Sequence, residues 1–183
     1  SQIKVRGAFE SRLEIGVAHL LDQKDTILAM TDWGGDQYGR WISAVALTYY
    51  QSDKQDFHLD SCLEDFLETQ SDHGMFGTEL DGQNWWGSGR ALIGLYEYWE
   101  ITQDPRALAA ATDLADFYLS DYPFDEADTN HQQGVEGLVA VWRATGERKY
   151  LDFAERLFAT LDPGCGVPEG DAHGHHTHGY LCC

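Results

Sequence analysis

The sequence predicts an all-α protein built from repeated helical hairpins. Apolar residues recur at the three- and four-residue spacing of amphipathic helices along most of the chain, and no convincing segment alternates polar and apolar residues as a half-buried strand would. Three segments also resemble one another, because each joins a helix, a short polar turn and a second helix. Hairpins of this kind stack into an open solenoid or close into an α/α toroid.

The spacing predicts seven helices and the start of an eighth. Their expected ranges are 6–23, 36–52, 56–70, 87–102, 105–120, 132–144 and 147–161, with a further helix starting near residue 177. A closed (α/α)6 toroid needs about twelve helices. Residues 1–183 are therefore interpreted as one partial toroid domain, truncated at its C-terminus.

The repeat predicts which helices face the axis of the toroid. Its units begin at Gly39, Gly89 and Gln132, so the period is 50 and then 43 residues. The first helix of each unit carries small residues on more than one face, which favours an inner position, whereas the second has one charged face and favours an outer ring. The segments that precede the inner helices occupy the same position in each repeat, so they are expected to form one pocket at one end of the axis. These segments are 32–39, 81–89, 128–137 and 174–179.

The composition favours a soluble protein and is compatible with a carbohydrate partner. The 31 acidic residues against 12 Lys and Arg give a net charge of -19, which argues against nucleic acid and anionic membranes as partners. No apolar run reaches the ~20 residues of a spanning helix. The aromatic content of 13% suits sugar binding, since sugar faces pack on rings, although an aromatic core explains it equally well. The composition leaves a cytoplasmic or a secreted location open.

Candidate substrate-binding residues lie mainly in the segments that precede the inner helices. Tryptophans offer stacking platforms for sugars, and the polar side chains offer directional hydrogen bonds. Each has a structural alternative, such as packing between helices for the tryptophans, helix capping for Asp36 and a surface turn for the loop at 69–77. The candidates are Trp33, Asp36, Gln70, Asp72, Trp85, Trp86, Arg90, His131, Glu136, His176 and His178.

A catalytic pair is not assigned from the sequence. Glycoside hydrolysis ordinarily uses two carboxyl groups that flank the scissile bond. The carboxylates at the repeat positions that are expected to line the pocket are Asp36, Glu136, Glu169 and Asp171, but the sequence does not give the distances between them. The chain contains no GxSxG, P-loop, GxGxxG or HExxH motif, so serine hydrolase, NTPase, dinucleotide-binding and zincin functions have no support.

The closing segment GDAHGHHTHGYLCC concentrates histidine and cysteine. Zinc requires about four convergent ligands. A helix that begins near residue 177 would place His178 and Cys182 on one face and Cys183 on another. A metal site, a solvated loop and sugar-facing imidazoles all stay open, and the last is favoured. We assign no metal ligand here, and the four cysteines show no spacing of a disulfide framework.

Five motifs, taken in order, resemble the N-terminal part of glycoside hydrolase family 127-like proteins (DUF1680). They are WGGDQYGRWISAVAL, QSDHGMFG, NWWGSGRALIGLYEYWEITQDPRAL, GLVAVWRATGERKYLDFAERL and HTHGYLCC. The resemblance implies an (α/α)6 toroid that acts on plant or microbial glycans, with β-L-arabinofuranosidase as the best-known activity. It also implies a cysteine nucleophile held by zinc, whose other ligands are a Glu and further cysteines. Those motifs are expected downstream of this chain, so no cofactor is assigned to the chain itself and zinc is expected only in the full-length protein.

The pair Cys182 and Cys183 is similar to a Cys-Cys pair of that family, but the repeat places it within an inner helix. The nucleophile role is therefore not transferred. The resemblance implies pocket lining by Trp33, Asp36, Trp86, Arg90 and His178. The family often has histidine where this chain has Arg90, which leaves the sugar open.

Two other classes of function remain alternatives. One is another sugar-active toroid, either an unsaturated glucuronyl hydrolase or an N-acylglucosamine 2-epimerase, in which His131 and His178 would suit proton transfer. The other is a non-catalytic, glycan-binding helical module. In each case an incomplete toroid exposes apolar faces of inner helices, and we expect association through those faces.

Overall fold

The computed structural model describes residues 6–30, 34–51, 58–77, 82–124 and 134–160. Within these ranges the chain folds into eight helices, and the one strand-like feature is an isolated bridge between Gln70 and Phe76. The all-α prediction is confirmed. The helices are α1 Ala8–Asp22, α2 Lys24–Leu28, α3 Asp36–Gln51, α4 Leu59–Leu67, α5 Gly82–Thr102, α6 Pro105–Asp121, α7 Gly134–Thr145 and α8 Arg148–Phe158.

The predicted helix boundaries hold within three residues except at the start of α5. Helix α5 begins at Gly82, five residues before the predicted start, because Trp85 packs against α6 and this tertiary contact holds a glycine-rich turn in helical form. Helix α4 is shorter than predicted at both ends, and the short α2 was not predicted. The helix expected near residue 177 lies outside the described residues.

Helices α3, α5 and α7 form an inner row in which neighbouring backbones approach closely. The contact between α3 and α5 is the most extensive between any two described helices, followed by that between α5 and α7. A Cβ atom on Gly39 would lie 2.1 Å from the carbonyl oxygen of Arg90, and one on Gly94 would lie 2.3 Å from the carbonyl oxygen of Gly39. Only glycine fits at this crossing.

The crossing of α5 and α7 repeats the same contact one unit later. Gly94 and Gly137 stand at equal positions of the repeat, five residues after Gly89 and Gln132. A Cβ atom on Gly137 would lie 2.5 Å from the Cβ of Leu92 and 3.3 Å from the carbonyl oxygen of Gly89. Each inner helix therefore meets the preceding one through the same glycine position.

The inner helices run parallel. Gly39 of α3 lies against Gly94 of α5, and farther along both helices the hydroxyl of Ser43 donates to the carboxylate of Glu97. The contacts therefore advance in the same direction along α3 and α5. Helix α7 follows the same direction, because Gly137 lies beside the first half of α5 and Arg143 interacts with Tyr96 farther along. The N-termini of all three inner helices consequently lie at one end of the row.

Tyrosine hydroxyls fasten the outer helices to their neighbours. The Tyr98 hydroxyl of α5 donates to the carbonyl of Leu59 at the start of α4, at 2.9 Å. The Tyr150 hydroxyl of α8 donates to the carboxylate of Asp116 in α6, at 3.0 Å. Buried tyrosines need such partners, so these bonds fix how each outer helix is placed.

Some apolar side chains of the described helices remain exposed. Helix α1 has no buried residue, and Phe9 and Ile15 are 74% and 70% exposed. On the inner helix α3, Leu47 and Tyr50 are about half exposed. These residues are consistent with the expected association, which stays a prediction. Among the described helices, none is long and apolar enough to cross a membrane.

Candidate functional site

The turn that leads into α3 is held by two other elements. Gly35 has a positive φ of 87°, and a Cβ there would lie 2.9 Å from the Cβ of Ala91 and 3.0 Å from that of Phe76. The buried hydroxyl of Ser88 donates to the carbonyl of Gly34 at 3.2 Å. Helix α5 and the loop at 70–77 together therefore fix where α3 begins.

Asp36 is the first residue of α3 and is only 2% exposed. One carboxylate oxygen accepts a hydrogen bond from Nε of Arg40 at 2.9 Å, and the other accepts one from Nε2 of Gln37 at 3.1 Å. The positive end of the helix dipole also favours a negative charge here. These contacts offset the cost of removing a carboxylate from water.

Arg90 lies in the first half of α5, and its side chain is half-buried. Its backbone lies against α3, since a Cβ on Gly39 would lie 2.1 Å from the carbonyl oxygen of Arg90.

Sequence reasoning missed Arg40. Arg40 and Arg90 are 50 residues apart, which is one repeat, and each follows a glycine of the inner-helix crossing. They therefore occupy the same face of adjacent helices. The repeated Gly-Arg pair was the signal that could have found it.

Glu136 lies in the first turn of α7 and is exposed. In the repeat it corresponds to residue 93, three residues after Arg90 on the same face of an inner helix. The fold thus places Asp36 and Arg40 of α3, Arg90 of α5 and Glu136 of α7 in the N-terminal halves of three parallel inner helices. Paired charges of both signs at such an end can bind polyhydroxylated ligands.

Gln70 is used to anchor the loop between α4 and α5. Its side-chain amide donates to the carbonyls of Gly74 at 2.8 Å and Ala110 at 2.9 Å. A Cβ on Gly74 would lie 2.4 Å from the carbonyl oxygen of Asp113, so the loop also touches the backbone of α6. Asp72, at the tip of this loop, is exposed. A packing role accounts for Gln70, and sugar contacts by either residue stay predictions.

Trp85 belongs to an aromatic cluster between α5 and α6. Its ring stacks on Phe117 with centroids 5.0 Å apart, and Tyr118 and Tyr122 meet it edge-on at 5.1 and 5.2 Å. The hydroxyl of Tyr118 donates to the carbonyl of Trp85 itself. With 3% of Trp85 exposed, little of its ring is open to a ligand, and its observed role is packing.

Several predicted site residues cannot be placed in this arrangement. The backbone of Trp86 lies in α5, but its side chain is not among those described. The remaining candidates lie outside the described residues: Trp33, His131, Glu169, Asp171, His176 and His178.

The described residues do not fit the zinc centre that the family resemblance implies. Within the described ranges, no group of three His, Cys, Asp or Glu side chains could hold a metal ion. Cys62 is buried in α4, and burial raises the pKa of its thiol. A zinc-binding cysteine must be a thiolate. We therefore derive no catalytic step through zinc from these residues.

Parallel inner helices with outer helices that return between them are the arrangement of stacked helical hairpins in an α/α toroid. The family comparison agrees, because the model of the β-L-arabinofuranosidase GH127 catalytic domain matches residues 12–173. The chain belongs to this family, so the predicted membership is confirmed.

A solved structure supports the fold. It is described as the GH127 β-arabinofuranosidase BT3674 and is 19% identical to this chain, with a TM-score of 0.55. The match covers 84% of this chain and 29% of that protein, so the chain spans less than a third of its length. The predicted partial toroid is confirmed. A search of curated proteins found no match.

Proposed function

We propose that this chain is the N-terminal part of the catalytic toroid of a glycoside hydrolase that cleaves β-L-arabinofuranosides. The observation that carries this proposal is the match of residues 12–173 to the GH127 catalytic domain. The charged residues in the N-terminal halves of the inner helices support it, because a sugar offers hydroxyl groups that can donate to carboxylates and accept from guanidinium groups.

In this proposal the described residues bind substrate. The exposed carboxylate of Glu136 accepts hydrogen bonds from hydroxyl groups, and Arg40 and Arg90 donate to hydroxyl or ring oxygens, whereas the buried Asp36 bonds to Arg40. Their positions depend on the rigid crossings of α3, α5 and α7. The bond-breaking groups belong to residues outside the described ranges, for which the family resemblance implies a zinc-held cysteine.

Turnover of an aryl β-L-arabinofuranoside by the full-length protein tests this function. We expect release of the aryl group, loss of activity with a chelator and recovery on adding zinc, together with zinc in the purified protein. Product from an unsaturated uronide would instead identify a glucuronyl hydrolase. Inversion of N-acylglucosamine at its C2 carbon would identify an epimerase. Binding of sugars without turnover of any of these substrates would leave a glycan-binding module.

A variant with a matched control tests the location of the site. Replacing Glu136 with glutamine removes an acceptor at the start of α7, whereas Asp152→Asn removes a similarly exposed carboxylate on α8. We expect Glu136→Gln to raise KM about tenfold, since a hydrogen bond to a charged group contributes about 1.5–3 kcal/mol. Asp152→Asn should leave KM unchanged. Equal effects of the two variants would contradict the proposed location.

A further inference from the structure

One flank of the inner helix α3 is left open in the described fold. The residue five places after the start of each repeat unit is Ala44 on α3, Gly94 on α5 and Gly137 on α7. Gly94 and Gly137 are buried where each helix crosses the preceding inner helix, whereas Ala44 is only half-buried. Among the described helices, no inner helix crosses α3 at Ala44, because α5 contacts α3 from the side of Gly39.

The same difference recurs nine places after the start of each unit. Tyr98 on α5 and Val141 on α7 are 2% and 0% exposed, whereas Thr48 on α3 is half-buried. Positions five and nine lie about 40° apart around a helix, so both belong to one flank. Leu47, which stands beside them, is 46% exposed. We call Ala44, Leu47 and Thr48 the open flank of α3.

The outer side of α3, by contrast, is covered by α1. The indole N–H of Trp41 donates to the carbonyl of Leu20, in the last turn of α1, at 2.7 Å. Gly134 stands at the same repeat position on α7, and a Cβ there would lie 2.9 Å from the ring of Tyr118, in the last turn of α6. Helix α1 therefore has beside α3 the place of an outer helix that α6 has beside α7.

Helix α1 lacks the second inner neighbour that α6 has. Helix α6 packs against both α5 and α7 and has seven buried residues, whereas α1 has none. Leu20 packs on the core, and its face of α1 also carries Phe9 and Leu13, which are 74% and 50% exposed. The buried residues of α6 are alanine or larger, so contact of this kind leaves room for an alanine at Gly16.

We propose that the toroid closes through a hairpin made of two distant segments. Helix α1 is its outer helix, and the last inner helix of the toroid, which follows this chain in the full-length protein, packs against α1 and the open flank of α3. A ring of hairpins closes where its last inner helix meets its first. The inference rests on the placement of this chain as the N-terminal part of the toroid, as proposed above, but not on the substrate.

A second copy of this chain fits the open flank less well. Ser43 of α3 contacts Glu97 of α5, so the fourth position of one inner helix meets the eighth position of the next. On α7 the fourth position is the exposed Glu136, and on α3 the eighth is Leu47. Docking through α7 of a second copy would press a carboxylate against leucine, which costs free energy. We expect the last inner helix to carry an apolar or small residue there.

Thiol labelling of the full-length protein tests whether both surfaces are covered. Thr48→Cys and Leu13→Cys place thiols on the open flank and on the apolar face of α1. Their controls are Tyr50→Cys, at a repeat position that is exposed on all three inner helices, and Ser11→Cys on the opposite face of α1. We expect the test thiols of the native protein to react with a maleimide at least about a hundredfold more slowly than the controls, because a covered thiol reacts only after local opening.

Cross-linking identifies the helix that covers these surfaces. A photo-reactive phenylalanine analogue in place of Phe9 should link to a peptide that follows residue 183 in the same molecule. The linked product should run as a monomer on a denaturing gel. Sedimentation velocity should show that the thiols are protected in the monomer.

Three kinds of result would overturn the inference. Similar labelling rates of all four thiols, or no cross-link, would mean that the surfaces are uncovered. A cross-linked dimer, with protection lost on dilution, would identify a second copy as the occupant. A link to a peptide within residues 1–183 would show that this chain covers its own surface.

These measurements do not depend on catalysis, so they separate this inference from the proposed function. A protein that protects both test thiols but cleaves no arabinoside refutes the function and retains the closure. A protein that cleaves arabinosides while both test thiols react freely refutes the closure and retains the function.

Discussion

Replacing Gly94 with alanine tests the crossing of the first two inner helices. The new Cβ would lie 2.3 Å from the carbonyl oxygen of Gly39 and 2.8 Å from both its carbonyl carbon and its Cα. These are backbone atoms of α3 and cannot rotate away as a side chain could. The two helices would have to separate by about 1 Å to restore van der Waals contact.

The expected cost follows from two opposing effects. Overpacking at a tight contact costs about 3 kcal/mol when the neighbouring backbone must shift. Alanine in place of a helical glycine contributes about 1 kcal/mol in the opposite direction. We therefore expect Gly94→Ala to lower the free energy of unfolding by about 2 kcal/mol.

Gly16 in α1 provides a control of opposite sign. It is also a helical glycine, but a Cβ there would have no neighbour within 4 Å. We expect Gly16→Ala to raise the free energy of unfolding by about 0.5–1 kcal/mol. Denaturant titration of both variants of the full-length protein measures the difference. If Gly94→Ala is as stable as Gly16→Ala, the close crossing described here is wrong.

Two further variants test local contacts. Gln70→Ala should cost about 1–2 kcal/mol of stability, because two backbone carbonyls lose their donor. Asp72→Asn is the control and should leave Tm unchanged. If Gln70→Ala instead lost sugar affinity at unchanged Tm, Gln70 would be a ligand contact. Asp104 caps α6, and hydrogen bonding to Arg106 lowers the pKa of its carboxyl group. Because this pKa is lower in the folded than in the unfolded protein, the contribution is present at neutral pH and is lost as pH falls below about 4. Asp104→Ala should therefore lower the free energy of unfolding by about 1 kcal/mol at pH 7 and by progressively less in acid. Denaturant titration at several pH values measures this difference. A difference that does not change with pH would contradict the prediction.

Much of the fold was predictable because the pattern that specifies it is local. Helices α3, α6, α7 and α8 lie within about three residues of their predicted ends, since amphipathic spacing and turn residues set these limits. The start of α5 was not predictable in this way. Its first turn contains glycine and depends on the packing of Trp85 against Phe117 in another helix.

That Asp36, Arg90 and Glu136 line a binding site stays a prediction. The repeat predicted which helices are neighbours, and the described fold has Asp36 and Glu136 in the first turns of α3 and α7 and Arg90 in the first half of α5. It gave no means of distinguishing Trp85, which is buried in a cluster, from a tryptophan that faces a ligand. It also did not reveal Arg40, whose relevance comes from the burial of the carboxylate that it contacts.

The sequence by itself determined the helical class, the repeat and the family, because periodicity and ordered motifs are properties of the chain. Only the tertiary structure decided which polar groups are removed from water and which donors meet them. Asp36 is 2% exposed, and the two glycines directly before it contact α5 and Phe76, which are distant in sequence. Burial is set by neighbours that are distant in sequence, and it determines whether breaking an ion pair costs little or much stability.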